Sequence, residues 1–442
     1  MTVSIQYAIA GATASAIAAS VEAGAREGRI PAGNALPTVR SLARTLAVSP
    51  ATVAAAYRLL RMRGLVATEG RRGTRLSHRP PLATPATPPV PAHLRNLAEG
   101  NPDPALLPPW RAGARRVPSR PHLYGEAADS PALLGLARED MARDGIPSTH
   151  LAVVGGALDG IERVLQARLR PGDRVAVEDP GYTAVFDLLS ALGLVAEPVP
   201  VDDRGMLPAE LGRVLRSRAA ACIVTPRAQN PTGAAFDARR ARELRGVLET
   251  HPGVLLVEDD HAGPVAGTPA LTLAHAKRER WAVVRSVSKS LGPDLRLAVL
   301  AGDALTVARV VGRQSLGAGW VSRILQGIVE GLWADPPTAR RLAEAAATYR
   351  EKREGLIAAL GARGIAARGA SGLNVWIPVA EESALVSHLA AAGWAVRAGE
   401  RYRLRTPPAV RVTVAALRKA EIERLADDVA RGLSRTRRGA VA

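Results

Sequence analysis

The sequence predicts two folded units of different class joined by an extended linker: a small helical unit closed by a basic hairpin, then a larger α/β unit with a smaller α+β lobe at its end. Three observations predict this. The 442 residues are too many for one ordinary domain, and 47% of them are apolar, enough for more than one core. The stretch RPPLATPATPPVPAHLR at 79–95 is dense in Pro and Ala and has no apolar periodicity, the composition of a semi-rigid linker. Before that stretch the pattern is helical; after it, short β-rich runs alternate with helical ones, as in a largely parallel sheet. The expected boundaries are therefore residues 1–78, 79–95 and 96–442.

Charge is distributed as unevenly as pattern. Lys and Arg number 59 against 41 Asp and Glu, a formal charge of +18. At this size that points to an anionic partner, nucleic acid before membrane. Residues 1–95 hold twelve Arg, no Lys and three acids (Glu22, Glu27, Glu69), so 12 − 3 gives +9, half of the excess. The anionic partner is expected at this end. The single cysteine, Cys222, excludes an internal disulfide and a zinc ribbon. The first residues carry no basic region ahead of an apolar core, and nowhere do about 18 uncharged apolar residues run together, so a cytoplasmic protein with no membrane partner is expected.

In the first unit, helical patterns cover 14–28, 39–46 and 50–63. Thr38 is placed to cap the second, and Ser49 followed by Pro50 opens the third. Ala47, Val48 and Ser49 separate those two helices, the length of a helix-turn-helix turn. Next come GLVA and EGRRGTRL, two extended runs about a glycine turn loaded with Arg71, Arg72 and Arg75. Helix, turn, helix and basic hairpin make a winged helix-turn-helix, whose third helix enters the major groove while the wing follows phosphates.

Taken together, LPTVRSLARTLAVSPATVAAAYRLLRMRGLVATEGRRGT resembles the DNA-binding domain of the GntR family of bacterial repressors over about residues 12–77. The resemblance implies DNA contacts by Arg40, Ser49, Thr52, Arg71 and Arg72. Where many members carry Arg after the Ser or Thr of the turn, this chain has Pro50, and the third helix exposes Ala51, Ala54 and Ala55. Few side chains there reach base edges, so much of the affinity is expected to be phosphate-borne and salt-sensitive.

The second unit contains all four lysines: Lys277, Lys289, Lys352 and Lys419. A chain that otherwise uses Arg has a reason where it keeps Lys, because Lys forms a Schiff base and Arg does not. Lys277, Lys352 and Lys419 sit in charged helical patterns and are read as solvated. Lys289 instead follows the apolar run WAVVRSV, between Ser286, Ser288 and Ser290, with Arg296 seven residues on. Small hydroxyls and an arginine beside a lysine suit a phosphate held next to an imine, the chemistry of pyridoxal phosphate.

Four further motifs follow a consistent order. VVGGALDGIERVL is strand, glycine turn and helix, so the amides of Gly156, Ala157 and Leu158 lie at a positive helix terminus able to cradle a phosphate. EDPGYTAVF places Tyr182 at a strand end, an aromatic face for a flat ring. TPRAQNPTG supplies Asn230, an amide donor for a phenolate oxygen. VLLVEDDH ends a buried strand with acids, and Asp259 is suited to pair with a pyridine nitrogen. A metal site on Asp259, Asp260 and His261 is set aside because no further ligand cluster accompanies them.

In this order the motifs resemble the fold-type I PLP-dependent aminotransferases over about residues 96–442, with PRAQNPTG and SVSKSLGPDLR the most specific. The resemblance implies pyridoxal 5'-phosphate held in Schiff-base linkage by Lys289, with Asp259 on the pyridine nitrogen, Asn230 on the phenolic oxygen and Tyr182 stacked on the ring. Gly156, Ala157, Ser286, Ser288 and Arg296 would hold the phosphate. Tyr124 matches the tyrosine that reaches into a neighbouring subunit's site, which implies a homodimer. Arg411 matches the arginine that grips a substrate carboxylate, a bidentate task. Two departures stand out: His261 replaces a tyrosine and can still hydrogen-bond the cofactor, and GEAADS replaces the usual GDPxG. A titratable ring at His261 counts against ordinary transaminase turnover.

A GntR-type reader joined by a Pro-rich linker to an aminotransferase-like body resembles the MocR subfamily of bacterial regulators, and the short linker and EDDH variant resemble its PtsJ-like members. The expected function is transcription regulation by a pyridoxal phosphate-binding protein that senses an amine, an amino acid or the cofactor itself. An active aminotransferase with an accessory DNA-binding module, and a vestigial fold without cofactor, are the competing expectations.

Overall fold

A computed structural model describes residues 7–68, 73–77 and 89–439. Arg71 and Arg72, and most of the Pro-rich stretch, lie outside the described residues. The chain divides into one unit of Met1–Pro88 with Leu169–Val175 and Thr183–Glu197, and a second of Pro89–Arg168, Ala176–Tyr182 and Pro198–Ala442.

In the first unit α1 (Ala14–Arg26), α2 (Val39–Leu46) and α3 (Pro50–Met62) precede a hairpin of β1 (Val66–Thr68) and β2 (Thr74–Leu76). Local chemistry sets the boundaries. Thr38 accepts from Ser41 N and Ser49 from Thr52 N, so both helices start on a side-chain cap, and Pro50 occupies the first turn where no amide is needed. Ala47 ends α2 in the left-handed region at φ 53°. Ile17, Val21, Leu42, Val53, Leu60, Leu65 and Leu76 form one core, each buried side chain contributing about 1.5–3 kcal/mol. Within it the Tyr57 hydroxyl donates to the Pro37 carbonyl at 2.7 Å, tying α3 to the entrance of α2.

The β-rich runs LAVVGG, DRVAVEDP, AACIVTP, GVLLVEDD, WAVVRSVS and RLAVLAG all form strands: β4 (Leu151–Val154), β5 (Arg174–Asp179), β8 (Ala221–Val224), β9 (Leu255–Asp260), β10 (Trp281–Ser286) and β11 (Ala298–Gly302). Sequence reading missed β6 (Val195–Asp202) and β7 (Gly205–Met206), whose VAEPVPVD mixes Pro and acids into the apolar pattern. The eight-stranded order is β4-β11-β10-β9-β8-β5-β6-β7. The sheet is mixed: β8, β9 and β10 run parallel, but β11 is antiparallel to β10 and to β4. The reason is the connection from Val287 to Leu297, which carries only the short turn Pro293–Leu295 and no crossover helix, whereas a parallel pair needs one.

The smaller lobe has the three-stranded sheet β12-β15-β14, from β12 (Asn374–Pro378), β14 (Arg397–Ala398) and β15 (Ala409–Thr413), over a core of Leu356, Val375, Leu389, Val410 and Leu425. β3 (Arg95–Asn96) pairs with β13 (Trp394–Ala395), so the chain after the linker adds to this lobe. Lys352 corrects the solvated reading. It is buried on the helix Pro336–Gly361 and donates to the Ala415 carbonyl at 2.7 Å, with Asp103 3.5 Å away, because helical periodicity placed it on the core face. Lys277 is exposed, and exposed Lys419 pairs with Glu351 at 2.5 Å.

Candidate functional site

The carboxyl ends of β5, β9 and β10 deliver the chemistry, as open α/β sheets do. β9 ends in Glu258, Asp259 and Asp260, and β10 ends at Ser286, three residues before Lys289. Strand register joins the phosphate motifs: Ser286 pairs with Ala298, and Ala298 pairs with Val154 on its other side. The Gly155–Gly156 turn and the serines therefore lie at one end of the sheet. Ser286 Oγ donates to Ser288 Oγ at 3.1 Å and accepts from Ser288 N at 3.2 Å. Arg296 donates to the Gly155 carbonyl at 3.3 Å. Gly156, at φ 110°, is where a Cβ would come within 3.0 Å of that guanidinium, and the helix Ala157–Arg168 begins at the next residue. The predicted cradle of Gly156, Ala157, Ser286, Ser288 and Arg296 is thus assembled from three chain segments.

Lys289 Nζ donates to the Gly100 carbonyl at 2.8 Å. Burial pushes the ammonium down to about 8, helped by the charge of Arg411 and opposed by Asp259. Asp259 is buried with no hydrogen-bond partner on Oδ1. Burial and the neighbouring Asp260 raise its carboxyl to about 7, against the pull of Lys289. The adjacent Asp260 behaves oppositely: against the cost of burial, Arg227 and Arg285 keep it ionised, at 2.8 and 2.7 Å. His261 is pushed down to about 4 by burial and by Lys289, so its ring is neutral at physiological pH.

Arg411 lies buried on β15, donating to Asn230 Oδ1 at 3.0 Å and to the Ala98 carbonyl, with its guanidinium 4.8 Å from the Tyr402 ring centre. It has no carboxylate partner among the described residues. Tyr182 is partly exposed after β5; burial of its hydroxyl and then the charge of Asp259 raise it above the usual phenol range. Lys289, Asp259, His261, Asn230, Tyr182 and Arg411 are thereby brought together. Tyr124 is not: it is 92% exposed and packs edge-on against Trp320, with ring centres 5.4 Å apart.

Sequence reasoning missed four positioning groups. The carbonyls of Ala98 and Gly100 receive Arg411 and Lys289, and backbone acceptors leave no residue-type signal. Asp179 accepts from the amides of Leu404, Arg405 and Thr406 at 2.8, 2.8 and 3.1 Å, strapping that loop to the end of β5. Gln229 is fully buried, donating to Glu178 and the Pro180 carbonyl and accepting from Thr232. An acid or amide beside Asn-Pro or Asp-Pro reads as an ordinary turn.

In the first unit the acids account for some of the arginines: Glu22 takes Arg63 at 2.9 Å and lies 3.8 Å from Arg26, and Glu27 takes Arg29. Arg75, counted with the basic wing, donates to the Gly33 carbonyl at 3.0 Å. Arg40, Arg44 and Arg58 are exposed on α2 and α3 with no acid partner among the described residues. Arg44 and Arg58 were not singled out in the sequence, because alternating helix polarity reads as a solvated face. Ser49 and Thr52 share a hydrogen bond at 2.8 Å at the start of α3.

Residues 96–429 match the family described as aminotransferase class I and II, and residues 13–76 match bacterial regulatory proteins, gntR family. The chain belongs to the GntR-type regulators that carry an aminotransferase class I and II domain, the MocR type, and is a DNA-binding transcriptional regulator of that class. Among particular proteins, it is 40% identical over 435 residues, 97% of this chain and 100% of the relative, to the vitamin B6 salvage pathway transcriptional repressor PtsJ of Salmonella typhimurium. It is 28% identical over 348 residues, 74% of each chain, to the HTH-type pyridoxine biosynthesis transcriptional regulator PdxR of Corynebacterium glutamicum. An archaeal alanine:glyoxylate aminotransferase shares the fold at TM-score 0.70 and 20% identity, over 77% of this chain and 91% of that one. Among the described residues, no helix is long and apolar enough to cross a membrane.

Proposed function

We propose that this regulator binds pyridoxal 5'-phosphate at the Lys289 cluster and that occupation of the site by cofactor, alone or with a small amine or amino acid, changes its affinity for operator DNA. One observation carries the reading: a half-buried lysine and a buried carboxylate lie at one sheet end, with Asp259 Oδ1 unpartnered and Lys289, among the described residues, hydrogen-bonded to a backbone carbonyl alone. Buried polar atoms are rarely left so unless a ligand completes them.

The residues fit the group. The bound cofactor supplies an aldehyde that condenses with a primary amine on an electron-withdrawing ring. Lys289, pushed down to about 8 chiefly by burial, offers that amine. Asp259 would hold a proton on a ring nitrogen, and Asn230 and neutral His261 would hydrogen-bond the ring oxygen. Tyr182 would cover the ring face, and Gly156, Ala157, Ser286, Ser288 and Arg296 would bind the phosphate. Arg411 would take the carboxylate of an amino-acid effector.

On the DNA side, Arg40, Arg44, Arg58 and the wing pair Arg71 and Arg72 would bind phosphates, while Ser49 and Thr52 address the groove from the start of α3. The exposed Tyr124 is read as completing the site of a second copy, making a cytoplasmic homodimer whose two heads meet paired half-sites. The names of PtsJ and PdxR support vitamin B6 metabolism as the regulated process. The test is a visible absorption band on adding pyridoxal phosphate to the purified chain, absent from Lys289→Ala; a wild-type spectrum with no such band refutes cofactor binding.

A further inference from the structure

We propose that Arg397 is a specificity-determining residue of the effector site: together with Arg411 it selects ligands bearing two negatively charged groups, one for each guanidinium. The inference rests on the reading that a small ligand occupies the Lys289 site.

β15 is the middle strand of the small-lobe sheet, and Arg411 is paired across it with Trp376 of β12 on one side and Arg397 of β14 on the other. Directly opposed residues on antiparallel strands project to the same face, with Cα atoms about 4.5–5.5 Å apart. Trp376, Arg411 and Arg397 therefore form one row, on the face where Arg411 meets Asn230 and Tyr402. The two ends of the row differ. At the Trp376 end the row is closed, because Tyr402 packs edge-on against the indole at 6.3 Å and Gly399 abuts it so closely that a Cβ would come within 2.7 Å. At the other end Arg397, on the edge strand β14, is half-buried and not covered in this way.

The charges point the same way. Several neighbouring guanidiniums are satisfied, Arg403 by Glu382 at 3.0 Å, Arg227 and Arg285 by Asp260, and buried Arg353 by the carbonyls of Gly369, Ala370 and Gly372. Among the described residues, neither Arg397 nor Arg411 has a carboxylate partner. Like charges directly opposed across strands repel. After burial, which has the larger influence, the Arg397 charge also pushes Arg411 below its ordinary range. The fold thus holds two unmatched cations in register, an arrangement a single carboxylate relieves only in part. An amino acid with a second carboxylate, or an amine bearing a phosphate, supplies an anion to each.

The test uses the cofactor-loaded, full-length protein and calorimetric titration with two matched pairs: L-glutamate against L-glutamine, and O-phospho-L-serine against L-serine. In at least one pair the charged member should bind about tenfold tighter or more. Preference within the first pair identifies a dicarboxylate effector, and within the second a phosphate-bearing one. R397Q should bring the charged member to within about twofold of its neutral counterpart while leaving the neutral one unchanged, and R411Q should weaken both. Melting temperature and the visible band establish that R397Q is folded and loaded. Wild type that binds both members of each pair equally, or binds none, overturns the inference, as does R397Q that keeps the preference. If wild type shows no visible band with pyridoxal phosphate, the cofactor reading fails on its own, and the same titrations on cofactor-free protein still decide the role of Arg397.

Discussion

Among the described residues, Arg40, Arg44 and Arg58 of the helix-turn-helix unit stand exposed with no acid beside them, whereas in the α/β unit Lys289 is half-buried and Arg411 buried, both without a carboxylate salt bridge. Both regions carry positive charge left over after nearby acids have been matched, and that remainder points to function in each. The solvent around it decides what each cation is worth. An exposed arginine gains little from one phosphate, and the gain falls with salt. A desolvated one is costly until its anion arrives and then contributes more per contact.

The largest effect should come from the buried side. Lys289→Ala should abolish the visible band formed with pyridoxal phosphate, measured by absorption, while leaving DNA binding by the cofactor-free protein intact; a band that survives would mean another amine holds the cofactor. Arg411→Gln should weaken a carboxylate effector by about 2 kcal/mol or more, roughly thirtyfold, in calorimetric titration. A retained affinity would leave the buried guanidinium a structural group.

The next prediction concerns pH. The folded-state carboxyl of Asp259 titrates near 7, above its ordinary 3.8, so its neutral form is favoured by the fold. Below about pH 4 it is protonated in both states and costs nothing; between about 4 and 7 the unfolded chain is ionised while the folded carboxyl keeps its proton, so stability is lost progressively across that window and the loss is complete above 7. Asp259→Asn should therefore raise the melting temperature of cofactor-free protein at pH 8 by about 2–4 °C or more and leave it unchanged near pH 4. Equal shifts at both values would contradict the burial account.

The smallest effects belong to the exposed side. Arg40→Ala should weaken binding to operator and random DNA alike, by a few-fold, and lower the salt slope by about one. Arg63→Ala, whose partner is Glu22, should not alter that slope, so a matched loss in both variants would show that leftover charge is the wrong criterion.

Much of this was legible in sequence because it is written in residue types at fixed offsets. Thr38 and Ser49 with Pro50 marked two helix starts, and the turn between them fell at Ala47, Val48 and Ser49. A lysine kept in an arginine-rich chain marked Lys289. What stayed hidden depends on tertiary register. Arg397 acquires meaning only when β14 is paired with β15, Lys352 only when its helix turns it inward, and the carbonyls of Ala98 and Gly100 have no side chain to announce them. The antiparallel β11 was hidden for a similar reason, since strand direction follows from the connection and not from the apolar run itself.

The central claim is that chemistry at Lys289 alters the grip of the reading head on DNA. It is tested most directly by measuring operator affinity for wild type and Lys289→Ala, each without cofactor, with pyridoxal phosphate, and with pyridoxal phosphate plus a panel of amines and amino acids. A ligand moves a conformational equilibrium only through its different affinity for the two states, with couplings on the order of 1–3 kcal/mol. Wild-type affinity should therefore change by about five-fold to a hundred-fold on loading, and Lys289→Ala should not respond. Identical operator affinity of wild type under every condition would contradict the claim and leave the α/β unit without a sensing role.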